Sequence, residues 1–300
     1  MPEEWSRGKT LREHCTRVSV GAIGHMSSLN SRARSPHRRP LSRRLPLTVT
    51  IIASNEADRI LDAIASAAFA DEVLVLESAS TDGTAEACRR AGARVVETDW
   101  PGFVAQKQRA VAYARHEWIF SLDADERIPA ALAEEIRSKL DAPGVHVAFS
   151  VPRRTWWQGV PIRWGAWSPD RRCRLFRRTA GRWTGQDPHD RWRPEGLVGR
   201  LHTPLVHHAY RGLEDHLRTV ARYSQLQADL LVRSGRTARW WDWGLRPLVH
   251  LCKALVWKGG IFDGPRGVAI AFVGAAHVAL KWALVSVRQN APSTTTESEE

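Results

Sequence analysis

The chain has 300 residues, a hydrophobic share of 43% and a formal net charge of +12. That much apolar material excludes a wholly disordered chain, and the length admits one large α/β domain with a smaller extra unit. Cys15, Cys88, Cys173 and Cys252 are widely spaced with no CxxC pair, which excludes a zinc ribbon or a disulfide scaffold and favours a reducing compartment.

The positive charge is concentrated at the start. Residues 1–45 hold nine arginines and one lysine against Glu3, Glu4 and Glu13, with few large apolar side chains. This composition predicts a disordered basic tail. The functional alternative is a polybasic arm for anionic lipid or nucleic acid. No apolar stretch near the N-terminus suits a signal, and no charge-free apolar run reaches about 18 residues, so a cytoplasmic protein is expected.

Ordered patterning begins at Leu47. Val49 to Ala53 (VTIIA) is a short continuous apolar run, typical of a strand buried on both faces. Ile60, Leu61, Ile64 and Ala68 then recur at helical spacing. Val73 to Leu76 predicts a second strand ending at Glu77, and the turn from Ser78 to Gly83 leads into a helix over 84–91. A third strand is expected over 94–96, a helix over 106–114 behind Gly102, and a fourth strand over 118–122. That strand runs into Asp123-Ala124-Asp125-Glu126. Pro129 suits a first helical position, with a helix to about Leu140, and 146–151 is a fifth strand. Residues 152–212 read as loop-rich, with many tryptophans and arginines. Helices follow: one carrying Leu217, Val220, Ala221, Ser224 and Leu231, a second over 245–258, and a mostly apolar third over 267–287. The implied organisation is a tail (1–45), an α/β catalytic domain (46–212), a helical extension (213–290) and an acidic tail (291–300).

Strand–helix alternation with short connections predicts an α/β fold with a mostly parallel, doubly wound sheet. Right-handed crossovers put the strand C-termini on one edge, and ligands of such sheets bind outside that edge. The clusters Ser54-Asn55-Glu56, Glu77 to Asp82 and Asp123 to Glu126 each follow a predicted strand directly, so together they mark one site.

Asp123 and Asp125 are two apart, which in extended backbone points both carboxylates to one side. Mg²⁺ or Mn²⁺ takes such oxygens and completes its shell with water and phosphate. The plainer alternative is an acidic turn before the next helix. Glu77, Ser80 and Asp82 suit contacts to ribose or base, although Ser80 or Asp82 would equally cap the helix from Thr84. Asn55 and Glu56 carry the same ambiguity. Lys107, near a helix N-terminus, suits phosphate. In Asp187-Pro188-His189-Asp190, a carboxylate could accept a proton from an attacking hydroxyl. Asp190 is the first candidate base, Asp187 the alternative, and His189 a candidate metal or phosphate partner. His202, His207 and His208 lack recognised metal spacing and read as structural. No GxGxxG or GxxxxGK[ST] loop is present.

The segments TVTIIASNEADRI, VLVLESASTDGTAE, GFVAQKQRAV and WIFSLDADERI, in that order, resemble glycosyltransferase family 2. With WGAWSPDRRCRLFRR, GRLHTPLVHHAYRGLEDHL and ARYS, the likeness extends over about residues 47–285 and is similar to the bacterial lipopolysaccharide-core β-1,4-glucosyltransferase-like subgroup. The resemblance implies a GT-A fold, a metal-bound nucleotide-sugar donor with UDP-hexose expected, a saccharide or lipid-linked acceptor, and inversion at the anomeric carbon. It further implies that Asn55, Glu56, Glu77 and Asp82 line the nucleotide site, that Asp123 and Asp125 serve diphosphate and metal, and that Asp190 stands where a base is expected. The chain departs from the usual pattern at Glu77 (for Asp), at Ala79 (for Gly) and at His189-Asp190 (for His-Glu). The turn at Ala79 is therefore expected to avoid angles that only glycine favours.

Basic late helices and abundant tryptophan suggest attachment to the cytoplasmic face of the inner membrane. The rivals are a sugar nucleotidyltransferase and a non-catalytic basic scaffold or nucleic-acid binder. The charge lies mainly in the tail and the ordered part lacks a nucleic-acid motif, so no specific nucleic acid is expected.

Overall fold

The computed structural model describes residues 44–187 and 189–290, without the side chains of Gln186 and His189. The expected acidic tail, nearly all of the expected basic tail and the candidate ligand group of His189 thus lie outside the described residues.

The first half alternates as its apolar runs require. Its elements are β1 (Leu45–Ala53), α1 (Ile60–Ser66), β2 (Ala70–Glu77), α2 (Thr84–Arg90), β3 (Arg94–Glu97), α3 (Phe103–Tyr113) and β4 (Trp118–Asp123). These strands lie in the order β3-β2-β1-β4, all parallel. Leu47, Val49 and Ile51 of β1 are fully buried and pack with Ile60 and Ile64 of α1 and with Phe120 and Leu122 of β4. The register pairs Ala53 with Glu77 and Ile52 with Asp123. The loops after β1, β2 and β4 therefore leave from one edge at one height.

The second half closes the sheet. β5 (Glu126–Arg127) and α4 (Ala130–Asp141) precede β6 (His146–Trp157), β7 (Val160–Pro161) and β8 (Asp170–Arg177). Then come β9 (Gly181–Gln186), β10 (His189–Pro194), β11 (Leu197–Arg200) and β12 (Leu205–His208). β8 lies antiparallel between β4 and β6, so the sheet is mixed beyond β4. The loop-rich reading of 152–212 is thus corrected: most of that span is strand. Arginines and tryptophans, among them the buried Trp157, Arg174, Trp183 and Trp192, break the apolar alternation, while the pairing depends on partners distant in sequence. β9 and β10 form a separate hairpin. It is held by Trp183 and Trp192 against Phe176, with Trp192 stacked on that ring at 3.8 Å.

The C-terminal part comprises α5 (Leu213–Arg233), α6 (Trp240–Trp243), α7 (Leu245–Cys252), which runs on as a π-helical turn over Lys253–Trp257, and α8 (Gly264–Gln289). Trp282 and Val285 of α8 pack with Ala228 and Ala238. Ile270 packs with Trp157 and Ile162, which ties α8 to the sheet domain. The segment Gly260–Gln289 is long and apolar enough to cross a bilayer by length and composition, a span the sequence reading did not assign. One further expectation fails: Ala79 has φ +49°, inside the left-handed region. An alanine there costs about 1 kcal/mol relative to its relaxed backbone.

Candidate active site

The aligned edge is laced together before any ligand is considered. The Asn55 N–H donates to Ser80 Oγ at 2.8 Å, and the Thr81 N–H donates to Asn55 Oδ1 at 2.9 Å. Glu77 is buried and its Oε1 accepts from the Ser80 N–H at 2.6 Å. Asp82 accepts from the Thr84 hydroxyl at 2.5 Å, the Thr84 N–H at 3.0 Å and the Ala57 N–H at 3.0 Å. The Thr84 hydroxyl contact, with the backbone donors behind it, holds Asp82 below the usual carboxylate range. Asn55, Glu77, Ser80 and Asp82 therefore direct polar groups at one another and at the start of α2.

A cavity of about 700 Å³ opens beside this network, lined by Ser54, Glu56, Lys107, Asp123, Asp125 and Asp190. His207 and Arg211 close one side, and Arg218, Arg222 and Tyr223 of α5 face the cavity. Six candidates from four separate segments thus meet at one wall.

The charges on that wall are unequally matched. Lys107 Nζ lies 2.9 Å from Asp123 Oδ1 and 2.7 Å from Asp190 Oδ2. Arg174 pairs with Asp123 and, at 2.7 Å, with Glu126. Arg153 adds a 3.3 Å contact to Glu126. Burial pushes the Asp123 carboxyl up, but Arg174 and Lys107 outweigh it and hold the group well below its ordinary value. Asp125 is different. Its ion-pair partner among the described residues is His207, whose Nε2 lies 3.5 Å from Oδ2. Burial raises Asp125, and His207 more than compensates. The other ring nitrogen of His207 lies 3.2 Å from Thr155 Oγ1, which fixes the ring and leaves Nε2 facing the acid.

Among the described residues no group of three or more His, Cys, Asp or Glu side chains is arranged to hold a metal alone. Among those residues, Asp125 has no lysine or arginine in ion-pair contact and stands beside an oriented imidazole. That donor pair suits Mn²⁺ or Mg²⁺ when substrate oxygens and water fill the remaining positions.

Asp187 and Asp190 separate clearly. Asp187 Oδ1 accepts the Val104 N–H at 3.0 Å, so it caps the first turn of α3 from a distant strand end. A Cβ on Gly102, which has φ +105°, would lie 2.0 Å from Asp187 Oδ2, so this close approach requires glycine. Asp190 lines the cavity; Asp187 is not part of that lining. Sequence reasoning set His207 aside. Its place beside Asp125 follows from pairing of His207 with Glu126 across β12 and β5, which no local spacing announces.

The profile of the family described as Glycosyl transferase family 2 matches residues 48–199. The lipopolysaccharide core biosynthesis glycosyltransferase LpsC of Rhizobium meliloti (strain 1021) is 31% identical over 255 residues, which covers 80% of this chain and 94% of that protein. An uncharacterized glycosyltransferase of Rickettsia bellii is 43% identical over 91 residues, covering 30% of this chain and 31% of its own. Among solved structures, glucosyl-3-phosphoglycerate synthase from Mycobacterium tuberculosis in complex with Mn²⁺ and UDP-Glc is 18% identical, covers 63% of this chain and 79% of that one, and superposes with a TM-score of 0.40. That superposition is too distant to carry an argument about the site. Family profile, full-length relative and strand order agree: the chain belongs to glycosyltransferase family 2, and its catalytic domain has the GT-A fold.

Proposed function

We propose that this glycosyltransferase moves a hexose from a UDP-sugar onto a saccharide or lipid-linked acceptor, with inversion, in the assembly of lipopolysaccharide core or a related envelope glycan. The observation that carries the reading is Asp125, an acid facing the cavity with no lysine or arginine in ion-pair contact among the described residues, while Asp123 and Glu126 are each matched by one. The lipopolysaccharide-core assignment rests on the likeness to LpsC. Membership in the family sets aside the nucleotidyltransferase and scaffold readings.

Asp125 and His207 are the residues to hold a divalent cation, which when bound supplies charge neutralisation at the departing diphosphate. Asp190 receives the proton of the attacking acceptor hydroxyl. Lys107 fixes the Asp190 carboxylate against the cavity wall and ties it to Asp123. Attack from the side opposite the leaving group inverts the anomeric centre. Proton NMR of the first-formed product would therefore show a β-linked sugar from an α-linked donor.

Attachment to the cytoplasmic face of the inner membrane is part of the same reading. Trp257 is 87% exposed, Val256 78%, Phe262 75% and Trp240 67%. Exposed Arg239, Arg246, Lys253 and Arg266 lie among them in the chain. Aromatic residues and cations together suit the headgroup region of an anionic bilayer. The contacts of Ile270 and Trp282 with the rest of the protein favour α8 lying on the catalytic domain rather than standing through the bilayer. Flotation with anionic but not zwitterionic vesicles is expected; equal recovery with both would remove the membrane from the account.

The enzymatic test is a donor panel of UDP-, GDP- and dTDP-sugars with lipopolysaccharide-core acceptors, scored for nucleotide release. UDP release that Mn²⁺ restores after EDTA treatment supports the reading. Turnover indifferent to EDTA would overturn the metal assignment, and release from another base alone would overturn the donor.

A further inference from the structure

Beyond Asp190, on the side away from α5, lies a second cavity of about 320 Å³. It shares Lys107, Asp123 and Asp190 with the larger one, so Asp190 is a common wall. Its remaining lining is dominated by guanidinium groups: Arg153, Arg171, Arg172, Arg174 and Arg191.

Some of that positive charge is already matched. Arg174 is committed to Asp123 and Glu126, while Arg153 and Arg172 share Asp170 at 2.7 and 3.0 Å. Two guanidiniums are not matched. Arg171 donates to the carbonyl oxygens of Ser150 and Leu201 and to the Ser150 hydroxyl, and meets no carboxylate among the described residues. The Arg191 guanidinium is exposed and has neither a hydrogen bond nor an ion pair among them. Two N–H groups of lining residues, Arg174 Nε and Trp192 Nε1, are also buried without an acceptor. The indoles of Trp183 and Trp192 are buried in contact with Phe176 and each other, so they offer no free face to a sugar. The unmatched guanidiniums of Arg171 and Arg191 favour an anion in this cavity.

We propose that this cavity is the acceptor subsite and that it takes a saccharide unit bearing a carboxylate or phosphate. The inference rests on the donor occupying the larger cavity. Asp190, the wall common to both cavities, would then face a hydroxyl of a sugar held by Arg171 and Arg191 and the donor in the larger cavity. Uncharged saccharides leave the two guanidiniums without a counter-charge and bind weakly.

The test uses the whole protein saturated with UDP and Mn²⁺, titrated by calorimetry with glucose 6-phosphate, glucuronate and glucose. The UDP titration is run first. At least one charged sugar is expected to bind about tenfold more tightly than glucose, without displacing UDP, and Arg191→Gln to remove about tenfold of that advantage. Arg191→Lys should restore part of it. The side chain is exposed and unpaired, so both variants should unfold at the wild-type temperature. Equal affinity for charged and neutral sugars with UDP bound would overturn the subsite. Charged sugars that compete with UDP would place the anion in the larger cavity and overturn it as well. Failure of UDP itself to bind would instead strike the donor-site reading on which the inference stands.

Discussion

Lys107→Met keeps the reach of the side chain and removes the ammonium that stands 2.9 Å from Asp123 and 2.7 Å from Asp190. Only 6% of the lysine side chain and 12% of the Asp190 side chain is exposed, so water cannot replace what is lost. Asp123 retains Arg174, but Asp190 is left without an ion-pair partner among the described residues. Removing one partner of a buried pair costs about 3–5 kcal/mol. The support that Asp123 retains places this variant at the lower end, near 3 kcal/mol. Asp190→Asn alone should cost about 1 kcal/mol, because the amide oxygen still accepts from Lys107. In the double variant neither charge remains, and stability should recover by about 2 kcal/mol over Lys107→Met. Urea unfolding at neutral pH, followed by circular dichroism for all four proteins, measures the coupling directly. A Lys107→Met protein within about 0.5 kcal/mol of wild type, or strict additivity in the cycle, would refute the claim that this lysine holds the two acids.

Three further outcomes follow from the same geometry. Asp187→Ala should lower stability by about 1 kcal/mol through the lost cap and keep turnover within a few-fold, whereas Asp190→Asn should lower transfer by about 100-fold or more; comparable activity in the two would void the separation of cap from base. Asp125→Ala should leave the protein folded, with a modest loss of stability from the contact with His207, and abolish the Mn²⁺ response of turnover; wild-type stimulation would reassign the cation. His216 is buried against Trp157, Trp167 and Tyr210 with Nδ1 unpartnered, and burial, outweighing nearby Asp215, pushes its pKa down from 6.5 to about 4. The folded state therefore resists a proton that the unfolded state accepts, so stability falls as pH drops through 6.5 toward 4. The loss is about 2 kcal/mol between pH 7 and 5. His216→Phe should flatten that part of the pH–stability curve, and an unchanged slope would show that other groups carry it.

The parts of this protein visible from sequence are those governed by local pattern. VTIIA, VLVL and WIFSL are continuous apolar runs because β1, β2 and β4 are covered on both faces, and each ends where a polar cluster begins. That alone predicts a single edge with several acids. The strands between 152 and 212 escaped because β8 is written as DRRCRLFR, where Arg174 is buried only because Asp123 and Glu126 wait for it from elsewhere. A buried arginine is indistinguishable from a surface one until its partners are known. His207 escaped for the same reason. Asn55, Ser80 and Asp82 show another limit: the side-chain types that suit a nucleotide also cap helices and bridge loops. The sequence admits both uses, and the structure shows the second.

The central claim is that a cation-bound nucleoside diphosphate lies over the edge formed by β1, β2 and β4. Crystals grown with UDP and MnCl₂, with data collected at the manganese absorption edge, test it most directly. The account predicts an anomalous peak within bonding distance of Asp125 and His207, with the diphosphate on the same ion and the nucleoside in the larger cavity. Manganese bound at another acidic cluster, or UDP ordered away from that cavity, would contradict it.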